Sequence, residues 1–233
     1  MTKRRCAIFF DLDDTLLDDR GAQQTYLKQV YAAWRDDLPH SEEAFPDTWR
    51  TALQHHFDRH IRGEISFLAQ RRERIRDVFR APSLSDEEAD RRMREFLDIY
   101  EASWRLFDDV IPMLDALSDR PLGVITNGTD VQQKDKLARM GIADRFAVVV
   151  TSEAMGAGKP DPRIFVQAAA RVNMLPAECV HVGDDWMRDV EGARAAGFRP
   201  IWIDRGKQEH ASISPDPRVA CIRTLQDLLP LLV

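Results

Sequence analysis

The run CAIFFDLDDT, at residues 6–15, places five apolar residues directly before a short acidic stretch. A continuous apolar run bounded by charge predicts a strand that is buried on both faces, as in a parallel sheet. Asp11 and Asp13 would then follow the carboxyl end of that strand, which is the edge where open α/β sheets bind ligands. Two like charges so close together repel each other, so they require a cation or a shared proton.

The composition is that of a globular protein of one or two domains. The chain has 233 residues, of which 44% are hydrophobic and 31% charged, and its formal net charge is −6. The negative charge argues against a nucleic-acid backbone or an anionic membrane as the main partner. No apolar run approaches the length of a membrane span. The three cysteines are widely spaced without a CxxC pair, as expected of reduced thiols in a cytoplasmic protein.

After Thr15 the hydrophobic pattern changes to a helical period. Apolar residues recur at helical spacing in four stretches, at 23–35, 45–57, 66–79 and 85–104. Proline, glycine and serine separate these stretches, as at helix boundaries. Four helices with no strand between them predict a small all-helical unit at residues 19–104.

From Asp109 onward, short apolar strands alternate with helices. The predicted strands lie at 122–125, 146–150, 179–182, 201–203 and near 219–222, and the predicted helices at 110–117, 131–140, 162–172, 190–196 and from Thr224. Such alternation is typical of βαβ units around a parallel sheet. Because the first strand belongs to the same sheet, residues 19–104 form an insertion. The predicted fold class is therefore α/β, a doubly wound parallel sheet built from residues 1–18 and 105–233.

Polar side chains directly follow the predicted strands. They are Asp11 and Asp13, Thr126 with Asn127 and Gly128, Thr151 with Ser152, Asp184 with Asp185, and Asp204. Right-handed crossovers bring these strand ends to one edge of the sheet, where Lys159 could add a cation. Carboxylates without imidazole or thiolate suit a hard ion such as Mg²⁺. Hydroxyl, ammonium and N–H groups around that ion suit a phosphate.

At these positions the chain resembles the haloacid dehalogenase superfamily of hydrolases, in the branch with a helical cap inserted after the first motif. The run 11–15 matches the DxDxT motif, Thr126 the second motif, Lys159 the third, and the run 183–189 the GDxxxxD fourth motif. The four motifs occur in order, and the resemblance covers essentially the whole chain. It implies a Rossmann-like catalytic core at 1–18 and 105–233 and an all-helical cap at 19–104.

The resemblance also implies a phosphatase mechanism. Asp11 would attack phosphorus to form a phosphoaspartyl intermediate, and Asp13 would act as general acid and then as general base. Haloacid dehalogenases of this fold lack the second aspartate and need no metal, so Asp13 favours a phosphatase over a 2-haloacid dehalogenase. A phosphomutase, which shares all four motifs, and a non-catalytic binding protein on the same scaffold are further alternatives.

The remaining motif residues would bind the metal and the phosphate. Mg²⁺ would be held by the Asp11 carboxylate, the Asp13 backbone carbonyl and Asp184, with support from Asp189. The phosphoryl oxygens would be bound by Thr126, Lys159 and the N–H groups near Asn127 and Gly128.

The predicted partner is a small phosphorylated metabolite, such as a nucleoside monophosphate or a sugar phosphate, and the predicted assembly is a monomer or homodimer. Related capped phosphatases direct a basic side chain at the substrate from the helix that follows Gly63, so Arg74 or its neighbour Arg72 is predicted to contact substrate. No zinc site is predicted at His56 and His60, which lack the glutamate of a zinc-protease helix. His181, in a buried strand, is interpreted as a core histidine with its hydrogen bonds satisfied.

Overall fold

The structure, a computed structural model, describes residues 6–206 and 216–232. The chain divides into two compact units, a core unit of residues 1–18 and 105–233 and a helical unit of residues 19–104. Within the described ranges, no helix is both long enough and apolar enough to cross a membrane.

A six-stranded parallel sheet runs through the described part of the core unit. Its strands are β1 (Ala7–Phe10), β2 (Leu122–Thr126), β3 (Val148–Thr151), β4 (Cys179–Gly183), β5 (Arg199–Ile203) and β6 (Ala220–Ile222). They lie in the order β3-β2-β1-β4-β5-β6, and every pairing is parallel. This is the order of a doubly wound sheet, whose direction of winding reverses at β1. The predicted α/β fold class is confirmed.

Four helices form the helical unit: α1 (Asp19–Trp34), α2 (Phe45–Ile61), α3 (Phe67–Phe79) and α4 (Asp86–Ala102). The start of α4 is fixed by Ser85, whose hydroxyl accepts a hydrogen bond from the backbone N–H of Glu88 and so satisfies a free donor of the first turn. The helices share an aromatic core that includes Trp34, Trp49 and Phe96. The structure differs from the sequence prediction in that α1 begins at Asp19 rather than at residue 23.

Helices of the core unit connect the strands. They are α5 (Val110–Ala116), α6 (Asp130–Arg139), α7 (Ser152–Met155), α8 (Pro162–Arg171) and α9 (Gly192–Ala195), with 3₁₀ turns at Ala143–Arg145, Pro176–Glu178 and Leu225–Leu232 and a π-helical turn at Trp186–Glu191. Phe9 of β1 packs against Phe165 of α8 through Phe198. Gly123 lets β2 approach Phe9, because a Cβ at that position would lie 2.6 Å from the Phe9 ring.

The helix that follows β4 begins earlier than the predicted residue 190. The Asp185 side chain accepts a hydrogen bond from the backbone N–H of Arg188 at 2.8 Å and caps the turn. The Asp185 carbonyl accepts from the N–H groups of both Asp189, at 2.8 Å, and Val190, at 3.4 Å. The helical turn therefore starts directly after the strand end, where the sequence carries no apolar period to reveal it.

Candidate active site

The strand ends that the sequence singled out meet at the carboxyl edge of the sheet, where β1 lies beside β4. Asp11 follows β1, and its backbone N–H donates to the Val182 carbonyl of β4 at 2.9 Å. Asp184 is the first residue after β4. The site therefore lies where the winding of the sheet reverses, which is the ligand-binding position of doubly wound folds.

Lys159 is the centre of a buried ion network. Its Nζ lies 2.5 Å from Oδ1 of Asp11 and 2.6 Å from Oδ1 of Asp189, and the residue is 3% exposed. Asn127 holds the backbone of Lys159 with two hydrogen bonds. The Lys159 N–H donates to Asn127 Oδ1 at 2.7 Å, and Asn127 Nδ2 donates to the Lys159 carbonyl at 2.9 Å. The loop after β2 thus fixes the position of the ammonium.

Asp189 reaches this network from the turn after β4. Its Oδ1 also lies 2.9 Å from His181 Nε2, and its Oδ2 accepts from the Asp185 N–H at 3.0 Å. Gly183 provides the space, because a Cβ there would lie 2.2 Å from Asp189 Cγ. His181 is buried in the core, as predicted. The prediction that both of its ring nitrogens are hydrogen-bonded is correct for Nε2 and wrong for Nδ1, which has no partner among the described protein atoms.

Burial and neighbouring charges set the protonation of the network. Burial raises the pKa of Asp11 to about 7, against the opposing effect of Lys159. Burial disfavours the charged form of Lys159, but attraction to Asp11 and Asp189 outweighs it and raises the pKa of Lys159. Burial likewise disfavours the charged form of Asp189, but Lys159 and the hydrogen bond from His181 outweigh it and lower the pKa of Asp189. Burial also lowers the pKa of His181. At neutral pH, Lys159 is therefore a cation, Asp189 a carboxylate and His181 neutral.

Three carboxylates of the site form a group that could hold a metal ion. Asp11, Asp184 and Asp189 each offer an oxygen, and these oxygens lie within 4.8 Å of one another. Oxygen ligands of this kind suit hard divalent cations. When all three are ionised, Lys159 leaves two excess negative charges, which one divalent cation balances. Besides burial, which is the largest cause, the neighbouring carboxylates of Asp189 and Asp13 raise the pKa of Asp11.

The loop after β2 contains the residues predicted to bind phosphate. Thr126 Oγ1 accepts a hydrogen bond from Gln133 Nε2 at 2.9 Å, which leaves the Thr126 hydroxyl proton to donate elsewhere. The Gly128 N–H already donates to the Ser152 hydroxyl oxygen at 2.9 Å. Phosphate binding by Thr126, Asn127 and Gly128 stays a prediction, and the contacts of the last two stabilise the loop.

Sequence reasoning missed two residues of α6 that contact Asp13. Lys136 Nζ donates to Asp13 Oδ1 at 2.6 Å, and Gln133 Nε2 donates to Asp13 Oδ2 at 3.3 Å. The sequence gives one indication of these contacts. Gln133 and Lys136 are three residues apart on the helix that follows the second motif, so they lie on the same face of that helix. The Asp13 carboxylate therefore lies among α6 side chains, and its predicted backbone contact with a metal stays a prediction.

A second missed contact supports the loop that follows Asp11. The Thr15 hydroxyl donates to Asp11 Oδ2 at 3.5 Å, and the Thr15 carbonyl accepts from Arg205 at 2.8 Å. Arg205 also makes two hydrogen bonds of 3.0 Å to the buried Asp109 carboxylate. The strand-end residue Asp204 has a turn contact instead, since its side chain accepts from the Gly206 N–H.

Comparison with known proteins identifies the family. The family model of haloacid dehalogenase-like hydrolases matches residues 7–197.

The chain belongs to the haloacid dehalogenase-like hydrolases.

Relatives of this hydrolase carry more than one activity in their names. A phosphoserine phosphatase from Thermus thermophilus is 32% identical over 93% of this chain and 96% of its own length. The solved structure of a HAD-hydrolase, YfnB from Bacillus subtilis, superposes with a TM-score of 0.81 at 21% identity over 99% of each chain. A 2-haloacid dehalogenase from Pseudomonas syringae superposes with a TM-score of 0.69 at 29% identity over 98% of this chain and 97% of its own.

Arg74, the predicted substrate contact of this haloacid dehalogenase-like hydrolase, lies in α3. Its guanidinium is 5.0 Å from the Trp49 ring centroid and 5.8 Å from that of Phe96, and its Nη2 lies 3.6 Å from Met93 Sδ. Burial lowers the pKa of Arg74 to about 9, so the side chain is still a cation at neutral pH. Substrate contact by Arg74 stays a prediction.

Proposed function

We propose that this hydrolase is a Mg²⁺-dependent phosphatase of small phosphate monoesters that works through a phosphoaspartyl intermediate. The observation that carries the proposal is the arrangement around Asp11, which combines a buried ammonium with two further carboxylates. The phosphoserine phosphatase named above supports it, as do a glyceraldehyde 3-phosphate phosphatase and a phosphoglycolate phosphatase that match parts of the chain.

The reaction would take two steps on the chain's own residues. An oxygen of Asp11 bonds to phosphorus while the bond to the leaving oxygen breaks, and Asp13 gives its proton to that oxygen. A water molecule then loses a proton to Asp13 and bonds to phosphorus, and the bond to Asp11 breaks. Both carboxyl groups are restored and inorganic phosphate leaves.

Lys159 and Thr126 would hold the phosphoryl oxygens during both steps. The Lys159 ammonium is fixed beside Asp11 by the Asn127 contacts, so it is already positioned for an anion. Asp11, Asp184 and Asp189 would hold Mg²⁺, which when bound supplies charge neutralisation for the phosphoryl group. Hydrolysis of phosphate monoesters is among the slowest uncatalysed reactions, with enhancements of up to ~10²¹, so these charges should be essential.

The 2-haloacid dehalogenase from Pseudomonas syringae, at 29% identity, makes dehalogenation the second candidate. The resemblance described above separates the two, because dehalogenases of the family lack the second aspartate and use no metal. Asp13 is present here, and its carboxylate contacts Lys136. Halide release from 2-chloropropionate without a metal would favour the dehalogenase.

Phosphate release from p-nitrophenyl phosphate tests the proposal. We expect turnover that requires Mg²⁺, falls to background in Asp11→Asn, and is unchanged in Asp119→Asn, whose side chain is 63% exposed. Turnover that survives Asp11→Asn would contradict the nucleophile. A panel of phosphorylated metabolites would then identify the substrate, which we propose to be a nucleoside monophosphate, a sugar phosphate or a phosphorylated small acid. A cytoplasmic monomer or homodimer stays the prediction for its location and assembly.

A further inference from the structure

Lys136 and Gln133 hold the Asp13 carboxyl group at both of its oxygens. Lys136 Nζ lies 2.6 Å from Oδ1, and Gln133 Nε2 lies 3.3 Å from Oδ2. The two residues are one helical turn apart on α6, so a single face of that helix reaches Asp13. Gln133 Nε2 also donates to Thr126 Oγ1 at 2.9 Å and to the Asn127 carbonyl at 3.1 Å. One amide thus joins Asp13 to the loop after β2.

The burial of Lys136 is unusual for a lysine on a helix. Its side chain is 2% exposed, and a buried ammonium is tolerated when it is paired with an anion. The Asp13 side chain, in contrast, is 35% exposed. One oxygen of Asp13 is therefore anchored to a buried cation while the carboxyl group keeps an open side. Such a pair fixes the direction of the carboxyl group, and a buried pair is weak evidence for a contribution to stability.

We propose that Lys136, assisted by Gln133, is a positioning residue for proton transfer by Asp13. This inference rests on the proposed function. In the first step, the bond between phosphorus and the leaving oxygen breaks, its electron pair stays on that oxygen, and the oxygen takes the Asp13 proton. In the second step, Asp13 takes a proton from the attacking water. Without Lys136, only the longer contact with Gln133 would hold the carboxyl group, and both proton transfers would lose part of the fixed geometry on which general acid–base catalysis depends.

The leaving group distinguishes this role from a merely structural one. The departure of p-nitrophenolate needs little protonation, whereas an alkoxide must receive a proton as it leaves. For Lys136→Met we expect kcat/KM on an alkyl phosphate to fall by about 100-fold, and on p-nitrophenyl phosphate by less than about tenfold. Lys134→Met is the matched control on the same helix, since the exposed Lys134 pairs with half-buried Asp130 and does not contact Asp13, and it should leave both values unchanged.

A second readout concerns the hydrolytic step, which needs Asp13 as a base whatever the leaving group is. Rapid mixing of Lys136→Met with p-nitrophenyl phosphate should give a burst of nitrophenolate of about one equivalent per site, because the phosphoenzyme forms faster than it is hydrolysed. Lys134→Met should show no burst beyond that of the parent protein. In an Asp13→Asn background, the change Lys136→Met should cause no further loss.

Circular dichroism and thermal unfolding check that each variant is folded. If Lys136→Met does not fold, Lys136→Gln, which keeps a polar end, replaces it with the same expected results. Equal losses on the alkyl and aryl esters without a burst would overturn the positioning role. A further loss on Lys136→Met in the Asp13→Asn background would overturn it as well. Absence of Mg²⁺-dependent phosphate release from the parent protein would instead overturn the proposed function, so the two failures are distinguishable.

Discussion

The core unit and the helical unit place their charged side chains differently. In the core unit, the buried cations Lys136, Lys159 and Arg205 contact carboxylates at 2.6, 2.5 and 3.0 Å. In the helical unit, Arg72 pairs with Asp86 and Asp90 at the surface. The buried arginine of that unit, Arg74, contacts a sulfur atom and two aromatic faces rather than a carboxylate.

The burial of ion pairs at the carboxyl edge of the sheet is better explained by function than by stability. Surface ion pairs contribute little to stability, because water and salt screen them. Buried ion pairs must first offset the free energy of desolvation, so stability alone gives little reason to bury them. The pairs of Lys159 with Asp11 and of Lys136 with Asp13 are therefore better explained by the charged reactant that the proposed function requires.

The largest expected effect on stability compares a buried pair with a surface pair. Arg205→Met leaves the buried Asp109 carboxylate without its two guanidinium hydrogen bonds, and we expect the free energy of unfolding to fall by about 3–5 kcal/mol. Arg72→Met removes contacts with Asp86 and Asp90 but should change stability little, because those carboxylates are exposed or half-buried. Urea denaturation of both variants measures the difference.

Equal losses of stability in Arg205→Met and Arg72→Met would contradict this comparison. Burial would then not determine how much stability is lost when one partner of an ion pair is removed. Asp109→Asn is the control for Arg205→Met. An amide oxygen in place of Oδ2 still accepts from Arg205 Nη1 and from the Leu225 N–H, which donates to the carboxylate at 2.8 Å. Only the bond from Arg205 Nη2 to Oδ1 is lost, so we expect a smaller loss than for Arg205→Met.

The next effect concerns the charge of the candidate metal group. With its pKa at about 7, Asp11 carries a proton below that pH, and a divalent cation must displace it. The affinity for Mg²⁺ should therefore rise with pH up to about 7, by about tenfold per pH unit, and then become constant. Titration calorimetry in two buffers of different ionisation enthalpy should detect release of about one proton at pH 6 and almost none at pH 8.5.

Asp11→Asn provides the control for this titration, because an amide has no proton to lose. The variant should bind Mg²⁺ more weakly and release no proton at either pH. An affinity for Mg²⁺ in the parent protein that does not change between about pH 5.5 and 7.5 would contradict the raised pKa of Asp11.

The fold and the meeting of Asp11 with Asp184 could be predicted from the sequence. Hydrophobic runs and their alternation with helices specify a parallel sheet, and parallel strands place their carboxyl ends at one edge. Lys159 was predicted from its motif. Only a few residues separate it from the end of β3, so it had to lie near the same edge of the sheet. These predictions depend on local pattern and on sheet geometry, which the sequence contains.

The contacts of Lys136, Arg205 and Asp189 needed the structure. A lysine or arginine on a helix is solvated by default, and no local pattern shows which one is buried against a carboxylate from a distant segment. Asp189 was found through its motif, but its contact with His181 depends on a π-helical turn that begins at Trp186. The sequence has no periodic apolar pattern there from which that turn could have been predicted. Arg74 was predicted to contact substrate, and its burial among aromatic rings was not foreseen.

The smallest expected effect concerns Arg74, for which the change Arg74→Met preserves an unbranched side chain. The variant loses cation–π contacts with Trp49 and Phe96, worth about 0.5–2 kcal/mol, but it no longer buries a cation whose Nε has no hydrogen-bond partner among the described residues. These effects oppose each other, so we expect the free energy of unfolding to change by less than about 1 kcal/mol. If Arg74 also contacts substrate, KM should rise for a phosphate monoester whose leaving group carries an anionic group of its own, while the KM of p-nitrophenyl phosphate, whose leaving group carries none in the ester, is affected less. A loss of stability as large as that of Arg205→Met would contradict the comparison, because Arg74→Met leaves no buried carboxylate without its partner.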